Sequence, residues 1–478
     1  MNSIPQEQGS IFVPSTPLIQ HVRHRVWQNW AQNVQCMPEY TFFARTAEDL
    51  SQIVHFARKT GRHLRAVATG HSWSAIVATD EILVDITGLN RVTLDLNDVA
   101  TPRVTMECGA TVKEVNRVLE AAGYALPCNV ILESVRFGGL IATGSHGSGW
   151  NNHTLSDLVH AIEIIDASGT LRRFETGIDS PEVMNAARLH LGMFGLIYRM
   201  TLNIQPTWNV HAKDQRIPIQ AALEHLPEWV QQNDNLDLFW WPLSKKFWVK
   251  SWTRTEAPIT ARPRHSKVEL VRSHIEMRAY QQILEFQRKV PRSTPLLSPV
   301  TFAFSPSKRD QVLPIVEAIH YRRGIEITRM GCIEVAFKVD PDFANVREAI
   351  ALCFDITNRY AAKREYPMNV TLNVRFIHNS TAWLSPAYGE GHTCYIEVLS
   401  RAKDADWQRY SGELGREWLS LRGGMIHWAK EYAHIPGIIA HIKQNMGANI
   451  DRFNRIKAQL GVDPDHMFVN KTLKPIFA

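Results

Sequence analysis

The pattern of apolar and polar positions changes from segment to segment along the first 206 residues. Apolar side chains recur every three or four positions over 47–60, which predicts a helix that ends at Gly61. Shorter apolar runs alternate with helical patterns of this kind, as expected where strands and helices follow one another. The predicted strands lie at 64–69, 81–86, 103–107, 160–166, 170–175 and 196–204, and the further helices at 111–122 and 181–191.

The chain from residue 207 onwards combines strands with longer helices. Residues 236–252 are dense in aromatic side chains, and their alternation favours a hairpin packed on a core over a surface on which bases stack. Helices are predicted at 272–289, 308–321, 343–363, 405–421 and 437–460, strands at 332–339, 369–376 and 393–399, and a loop at 256–267. We place a domain boundary at Pro206, which gives an N-terminal arm (1–32), a first domain (33–206) and a second domain (207–478) whose last helices return to the first.

Composition and charge exclude several classes of protein. The 478 residues are 45% hydrophobic and 21% charged, which is typical of a globular chain with two or three domains. The formal net charge is +6, but basic residues are scattered among acidic ones, so no nucleic-acid partner is expected. No stretch reaches 18 apolar residues and 1–18 lack an apolar signal core. We therefore expect no transmembrane segment and a cytoplasmic location, with peripheral membrane association left open.

The cysteines are dispersed along the chain and form no CxxC pair. Most of them lie in apolar runs, as buried thiols do. This distribution argues against a zinc site and against a secreted fold held by disulfides. The six cysteines are Cys36, Cys108, Cys128, Cys332, Cys353 and Cys394.

Two glycine-containing loops carry the first candidate chemistry. The loop at 68–74, with His71 at its centre, follows a predicted strand, and its small residues leave backbone N–H groups free to face an anion. It lacks the spacing of a Rossmann or P-loop motif, and alone it is a weak signal. The loop at 138–149 has five glycines in twelve residues and contains His146. Tight packing would explain one such loop, but two loops that each carry a histidine between small residues favour a shared ligand.

The two loops together resemble the FAD-binding domain of the vanillyl-alcohol-oxidase/PCMH type. In that family the first loop ends in G-H-S and its histidine bonds the flavin 8α-methyl, so the resemblance implies FAD bound covalently through His71. The second loop, G-x-I-A-T-G-x-H-G-[ST]-G, matches 139–149, and its His146 is the competing histidine. The segment 192–198 resembles the part that meets the adenine end. The implied cofactor contacts are Thr69, Gly70, His71, Ser72, Trp73, Gly139, Thr143, Ser145, His146, Gly147, Gly149, Gly195 and Ile197.

The second half of the chain resembles the aldonolactone-oxidase branch, which includes L-gulonolactone, D-arabinonolactone and alditol oxidases. The shared blocks are V-R-F at 374–376 with W-L-S-P at 383–386, I-H-W-A-K at 426–430, and D-P-x-x-x-F-x-N at 463–470. The resemblance implies an α+β fold, in which a PCMH-type FAD-binding domain precedes an α+β substrate (cap) domain. It also implies that Arg375 and Lys430 are cations that stabilise developing alkoxide charge on the substrate.

Each of these residues also has an alternative interpretation. Arg375 could form a cross-strand ion pair, Lys430 could be a surface charge at the end of a helix, and His427 could be a packed histidine rather than a residue of the substrate pocket. The motif context favours the active-site interpretation for the two cations, whereas for His427 the two interpretations are equal.

Three positions depart from the family pattern. Asn373 stands where relatives commonly have a glutamate two residues before the substrate arginine, and Glu397 or Glu334 could supply the missing carboxylate. Arg136 replaces a small hydroxyl residue near the flavin. Val130 aligns roughly with a glycine of members that react with oxygen, so a dehydrogenase that uses another acceptor is an open alternative.

The sequence therefore predicts an enzyme that oxidises a CH–OH group of an aldonolactone, an alditol or a related sugar alcohol. A hydride would pass to the flavin, and oxygen or another acceptor would reoxidise it. Two alternatives remain open: oxidation of a non-sugar alcohol on the same fold, and a flavin-binding protein without turnover. No metal is expected.

Overall fold

The computed structural model describes residues 17–98, 100–260, 267–321 and 325–477. Parts of the predicted arm (1–32) and of the predicted loop (256–267) lie outside these residues. The helices are α1 Ala47–Thr60, α2 Val112–Ala121, α3 Phe137–Ala142, α4 Pro181–Ala187, α5 Ile219–Glu224, α6 Leu226–Gln232, α7 Lys267–Lys289, α8 Thr294–Ala303, α9 Ile315–Ile319, α10 Ala344–Ala362, α11 Asp404–Ser420, α12 Ile438–Leu460 and α13 Lys474–Phe477.

The strands form two sheets in the first part of the chain and one large sheet in the second. They are β1 His21–Arg23, β2 Trp27–Gln28, β3 Gln35–Cys36, β4 Tyr40–Phe43, β5 Leu64–Val67, β6 Ile82–Asp85, β7 Val92–Asp95, β8 Arg103–Glu107, β9 Tyr124–Ala125, β10 Val159–Ile165, β11 Leu171–Glu175, β12 Leu196–Asn203, β13 Gln205–Pro206, β14 Asn209–Pro218, β15 Asn235–Trp240, β16 Lys246–Thr255, β17 Lys308–Pro314, β18 Gly331–Lys338, β19 Thr371–Ile377, β20 Thr393–Ser400 and β21 Met425–Ile426. The smallest pairs, β2–β3 and β9–β13, stand apart from these sheets.

The first part of the chain contains a four-stranded sheet (β1-β4-β6-β5) and a five-stranded antiparallel sheet (β11-β10-β12-β8-β7). Strand β6 lies parallel to both β4 and β5. Helix α1 joins β4 to β5 and has clear end signals: Thr46 and Asp49 form a capping box, and Gly61 closes the helix with φ 63°. The loop that carries His71 begins where β5 ends.

The second part is built on an eight-stranded sheet in the order β17-β14-β16-β15-β19-β20-β18-β21. One row of directly paired residues across its centre is Leu238, Val374, Ile396 and Val335, all buried in the main core. This face of the sheet packs against α10 and α11. Because side chains alternate between the two faces of a strand, the neighbouring positions point to the opposite face, where the polar residues of the site lie.

The predicted helix at 308–321 is wrong. The segment forms strand β17, which pairs with β14, followed by the short helix α9. Pro314 explains the difference, because inside a helix it would remove a backbone hydrogen bond, whereas here it ends the strand and precedes the helix. The other predicted helices and strands are present with ends shifted by a few residues, and the α+β fold class is confirmed.

The last long helix connects the two parts of the chain. Helix α12 packs beside α4, and the rings of Phe453 and Phe194 stack with centroids 5.1 Å apart. The Ala167 amide donates to the Val462 carbonyl at 2.8 Å, just after that helix. Helix α11 lies instead on β18 and α10. The domain boundary at Pro206 stays a prediction. Within the described ranges, none of the helices combines the length and the apolar character that crossing a bilayer requires.

Candidate functional site

A cavity of about 480 Å³ lies between the two glycine loops and the polar face of the eight-stranded sheet. All the residues that sequence analysis assigned to the site line this cavity except Gly149. The Gly149 amide donates to the Phe376 carbonyl at 2.7 Å, so this glycine connects the second loop to β19 rather than facing the cavity. The sequence motifs thus converge on one space, although they lie up to about 360 positions apart in the chain, as expected for a site assembled by tertiary structure.

The first loop is held by a turn near the start of the chain. The Trp30 amide donates to the Gly70 carbonyl at 2.8 Å, and Asn29 Nδ2 donates to the Ser72 carbonyl at 2.8 Å. The indole of Trp30 stacks on the His71 imidazole, with ring centroids 4.7 Å apart and planes 24° apart. Sequence analysis did not identify Trp30, because nothing in the local pattern at 29–33 links that turn to residue 71.

His71 has the properties of a nucleophile that could form a covalent bond. Its Nδ1 atom is buried and has no hydrogen-bond partner among the described residues. Burial, reinforced by the nearby charge of Lys430, lowers the pKa of His71 to about 4. The imidazole is therefore neutral at neutral pH and keeps a nitrogen lone pair, which is the form that can act as a nucleophile.

The first loop also contacts the segment that carries Lys430. The Trp73 amide donates to the Ala429 carbonyl at 2.7 Å, and Ser74 Oγ donates to the Trp428 carbonyl at 2.6 Å. The ammonium group of Lys430 lies 4.6 Å from the centroid of the Trp73 ring, a cation–π contact. These contacts explain how a residue near position 70 and one at position 430 come to share a cavity.

The second loop leaves room for a ligand that approaches its backbone. A methyl group added at Gly139 would have no atom of the described residues within 4 Å beyond its own helix backbone, and Gly139 lines the cavity. At Gly147 an added carbon would lie 2.5 Å from the Asn129 carbonyl oxygen. The first glycine keeps the cavity open and the second lets two backbone segments pack closely. These features fit the FAD that the sequence implies.

The second histidine, His146, contacts neighbouring residues through its ring nitrogens and through one face of its ring. Its Nδ1 pairs with the Gly147 carbonyl at 2.8 Å, its Nε2 lies 3.4 Å from Glu334 Oε1, and its ring stacks on Tyr395 with centroids 3.6 Å apart. Both ring nitrogens thus already face protein partners, in contrast to those of His71.

Two buried glutamates and two half-buried cations form the charged centre of the site: Glu334, Glu397, Arg375 and Lys430. Arg375 Nη2 donates to Glu397 Oε2 at 2.8 Å, and Lys430 Nζ donates to the other oxygen of the same carboxylate. Glu334 lies directly across from Glu397 in the sheet. Lys430 Nζ lies 3.6 Å from Glu334 Oε2, and Arg375 Nη1 lies 3.9 Å from Glu334 Oε1. Each cation therefore faces both carboxylates.

The pKa values of the charged centre follow from this arrangement. Burial alone would raise the pKa of Glu397, but Lys430 and Arg375 outweigh it and lower the pKa. Burial would also raise the pKa of Glu334, but Lys430 and His146 outweigh this effect and hold the pKa well below its usual range. Against the effect of burial, Glu397 and Glu334 raise the pKa of Arg375, and Cys332 and the same two carboxylates raise the pKa of Lys430. All four groups are charged at neutral pH, and the two positive charges balance the two negative ones.

His427 completes this side of the cavity as a neutral group. Burial lowers the pKa of His427 to about 3. Its Nδ1 accepts a hydrogen bond from the Ala429 amide at 3.1 Å, which leaves the proton on Nε2. The side chains of His146, Glu334 and His427 come close enough to surround a metal ion. The Lys430 ammonium beside Glu334 disfavours a cation there, since like charges repel at this distance.

The structure also locates the three departures from the family pattern. Asn373 lies beside Glu397, and its Oδ1 has no partner within the described chain. Glu397 contacts Arg375 directly, so it supplies the carboxylate that Asn373 lacks. Arg136 donates to the Gly109 carbonyl, and Val130 lines the cavity, as the sequence suggested. Lys430 is not a surface charge at a helix end, because it lies outside the helices and only 13% of its side chain is exposed.

Arg375 also belongs to a second row of charged residues, which runs across the sheet from strand to strand. Five residues with alternating charge pair directly from strand to strand: Arg375, Asp237, Lys250, Asp214 and Arg309. Asp237 lines the cavity. Sequence analysis did not identify this row, because its members come from five strands whose register only the folded sheet defines.

Comparisons with known proteins agree with this arrangement. The family described as "FAD binding domain" matches residues 38–175, and the family described as "D-arabinono-1,4-lactone oxidase" matches residues 200–476, more than half of the chain. The L-gulono-1,4-lactone dehydrogenase of Mycobacterium tuberculosis is 28% identical over 447 residues, which cover 93% of this chain and 97% of that protein. The L-gulonolactone oxidase of Scyliorhinus torazame is 26% identical over 465 residues, covering 94% and 98%.

Solved structures share the fold at low sequence identity. Cholesterol oxidase from B. sterolicum superposes with a TM-score of 0.78 at 15% identity and covers 98% of this chain and 99% of that one. Xylooligosaccharide oxidase from Myceliophthora thermophila C1 has a TM-score of 0.64, also at 15% identity, with 93% of each chain covered. Identity at this level supports the fold alone. The matched families, together with a site built from both of their segments, show that the protein belongs to the D-arabinono-1,4-lactone oxidase family, the aldonolactone-oxidase branch of the PCMH-type FAD-dependent oxidoreductases that act on CH–OH groups.

Proposed function

We propose that this enzyme oxidises a CH–OH group of a neutral sugar lactone, with FAD attached to His71 and the substrate oxygen bound by Arg375 and Lys430. The observation that carries the proposal is that one cavity holds two cations that share one carboxylate and a neutral imidazole whose Nδ1 has no hydrogen-bond partner in the described part of the chain. A flavin site and an oxyanion site thus face the same space.

Attachment through His71 rather than His146 is supported by the state of the two rings. Within the described residues, Nδ1 of His71 has no hydrogen-bond partner and the ring is uncharged, whereas Nδ1 of His146 is hydrogen-bonded and its Nε2 lies 3.4 Å from Glu334 Oε1. When bound, the flavin supplies an electron-poor ring that accepts the substrate hydride. Thr69, Gly70, Ser72 and Trp73 would position the linked end, and Gly139, Thr143, Ser145, Gly147, Gly195 and Ile197 would contact the rest of the cofactor.

Arg375 and Lys430 would bind and orient the hydroxyl that is oxidised. Both stay protonated over the working pH range because Glu397 and Glu334 raise their pKa values. Fixed donors of this kind stabilise negative charge as it develops on the substrate oxygen while the hydride leaves. Glu397 holds the two cations in place, and His427 would donate from Nε2 to a further oxygen of the substrate.

A neutral lactone fits the balance of charge better than an aldonic acid. The two cations of the charged centre are already matched by two carboxylates, so a substrate carboxylate would meet no excess of positive charge. The relatives named above carry lactones in their names, L-gulono-1,4-lactone and L-gulonolactone. Val130 on the cavity wall favours an electron acceptor other than oxygen, whereas the two relatives named above differ, one being named a dehydrogenase and the other an oxidase.

We also place the enzyme in the cytoplasm. All six cysteines are buried free thiols, a state that reducing compartments maintain. Cell fractionation with a high-salt wash would separate a cytoplasmic protein from one that is bound peripherally to a membrane, and recovery only in detergent extracts would contradict this location.

Two measurements test the function. Acid-precipitated wild-type protein and the His146→Ala variant should stay yellow, whereas His71→Ala should release its colour into the supernatant. A colourless wild-type precipitate would refute the covalent link. Anaerobic mixing with matched panels of lactones, alditols and aldonates should bleach the flavin with lactones first, and bleaching by alditols alone would refute the lactone assignment. The rate at which colour returns in air then separates an oxidase from a dehydrogenase.

A further inference from the structure

The turn at residues 29–33, which we call the Trp30 turn, contacts the first loop along its whole length. Its backbone and side chains donate to three carbonyls of that loop: Trp30 N to Gly70 O, Asn29 Nδ2 to Ser72 O and Asn33 Nδ2 to Trp73 O, at 2.8, 2.8 and 2.9 Å. The turn is itself closed, because the Asn29 and Val34 backbones pair at 3.1 Å. The closed turn therefore holds the part of the first loop on either side of His71, in addition to the contacts that Trp73 and Ser74 make with the segment before Lys430.

The contacts of the Trp30 side chain fix the orientation of its indole ring. Its indole stacks on the imidazole of His71 and meets the edge of Trp73 in a T-shaped contact with centroids 5.6 Å apart. Its Nε1 donates to the Glu326 carbonyl at 2.9 Å, which ties the ring to a segment in the second part of the chain. An indole held by a hydrogen bond at one end and by ring contacts on its faces and edge has little rotational freedom.

We propose that Trp30 is the positioning residue for the reaction of His71 with FAD. The stacked indole holds the imidazole plane and prevents the ring from rotating about the Cβ–Cγ bond, so that the nitrogen that forms the bond keeps one direction. It also covers one face of the ring and excludes water from it. This inference rests on the covalent attachment proposed above, and it adds that a residue outside the flavin-binding motifs controls that attachment.

The chemistry explains why orientation matters. The attachment would form one C–N bond and break one methyl C–H bond and one imidazole N–H bond. The two protons and two electrons released would pass to the electron acceptor that also serves turnover. The neutral ring that burial enforces is nucleophilic only along the direction of its lone pair. A misplacement of about 1 Å or a small rotation of the ring costs on the order of 10²-fold in rate.

The test separates attachment from binding. Apoprotein is prepared from cells starved of riboflavin and mixed with FAD, and two quantities are measured: the Kd of the non-covalent complex and the rate at which flavin becomes resistant to acid precipitation. Trp30→Leu should slow the covalent step at least about tenfold and change Kd less than about threefold. Trp30→Phe, which keeps a stacking ring, should recover the rate to within about threefold of wild type.

A matched control is available in the second part of the chain. Trp229 also stacks on a histidine, His225, with centroids 5.4 Å apart and planes 18° apart, and it does not line the cavity. Trp229→Leu therefore removes an equivalent contact and should leave the rate of attachment unchanged. An equal loss in both leucine variants would show that Trp30 acts only through stability and would overturn the proposal.

The outcomes also distinguish this inference from the proposed function. If the wild-type protein forms no acid-stable flavin, the attachment at His71 fails and Trp30 has nothing to position. If the wild type attaches FAD and Trp30→Leu attaches it at the same rate, the function stands and the role of Trp30 is refuted. If Trp30→Leu loses only non-covalent affinity, Trp30 is a binding residue, which also refutes the proposal.

Discussion

Asp237 lies directly across from Arg375 on the adjacent strand, in a row of alternating charges that continues through Lys250 and Asp214 to Arg309. Asp237 Oδ1 is buried and makes no hydrogen bond to any part of the chain described, so its effect on Arg375 is electrostatic. Burial raises the pKa of Asp237, and the charges of Arg375 and Lys250 oppose that rise. Directly paired residues on neighbouring strands are about 5 Å apart, a distance at which charges interact strongly in a buried site.

We expect Asp237→Asn to lower kcat/KM about tenfold, mainly through KM, because Arg375 loses one of the charges that direct its guanidinium. The matched control is Asp214→Asn, which removes a carboxylate from the same row two strands farther from Arg375, at comparable burial. The control should destabilise the protein to a similar degree and leave kcat/KM within about threefold. Equal losses of kcat/KM in the two variants would contradict a specific effect on Arg375. So would a double variant, Asp237→Asn/Arg375→Lys, whose loss of kcat/KM equals the product of the two single losses, because residues that act together give non-additive effects.

Glu397 is the carboxylate that Arg375 and Lys430 share, so its removal should leave both cations without this ion-pair partner. We expect Glu397→Gln to lower kcat/KM about 10²-fold, since one amide oxygen cannot hold two cations and breaking a buried charge network costs about 3–5 kcal/mol. The acid-stable flavin should remain, because Glu397 does not contact His71. Steady-state kinetics and acid precipitation on the same preparation check both parts. Loss of the covalent flavin in this variant would show that the charged centre serves attachment rather than substrate binding.

Gly139 offers a test of where the cofactor lies. Its added methyl group would have no atom of the described residues within 4 Å beyond its own helix backbone. The residue lies in helix α3, where alanine is favoured over glycine by roughly 1 kcal/mol. We expect Gly139→Ala to leave the apoprotein at least as stable as wild type and to weaken FAD binding about tenfold or more, because the methyl group occupies space that the cofactor needs. Calorimetry of the apoprotein and titration with FAD give the two numbers. Gly61→Ala is unsuitable as a control because its φ of 63° is strained for alanine; the exposed substitution Glu390→Gln serves instead.

The residues that sequence analysis found share one property: they lie in contiguous motifs. The loop around His71, the loop at 139–149 and the block that ends at Lys430 each carry their signal within a dozen residues. Periodicity likewise predicted most helices and strands, because it depends only on neighbours in the chain. The exception is 308–321, where the apolar spacing resembles that of a helix but the missing N–H of Pro314 excludes a continuous helix.

The residues that were missed are brought to the site by tertiary structure. Asp237 faces Arg375 only through the register of two strands that are more than a hundred positions apart in sequence. Trp30 reaches His71 through a turn whose local sequence shows no motif. Glu334 was considered as one of two possible partners for Arg375, and only the folded sheet places it opposite Glu397. Such relationships depend on pairing between distant segments, which the pattern of a single sequence does not contain.

Glu431, the neighbour of Lys430, should make stability depend on pH. Burial raises the pKa of Glu431 to about 7, against the opposing hydrogen bonds from the Cys332 amide and the Trp407 indole. Its pKa in the unfolded chain is near 4.5, so the folded protein binds the extra proton between these two values. The stability that this group contributes is therefore full below a pH of about 4.5 and is lost as the pH rises to about 7, by roughly 3 kcal/mol in all.

The variant Glu431→Gln removes this titration while keeping an oxygen that accepts both hydrogen bonds. We expect the thermal midpoint of the variant to equal that of wild type at a pH of about 5 and to exceed it by a few degrees at about pH 8. The exposed Glu390→Gln is the control and should show no such change with pH. A difference between Glu431→Gln and wild type that stays constant from pH 5 to pH 8 would mean that the Glu431 carboxyl does not titrate in this range, because only a proton taken up or released on unfolding makes the difference depend on pH.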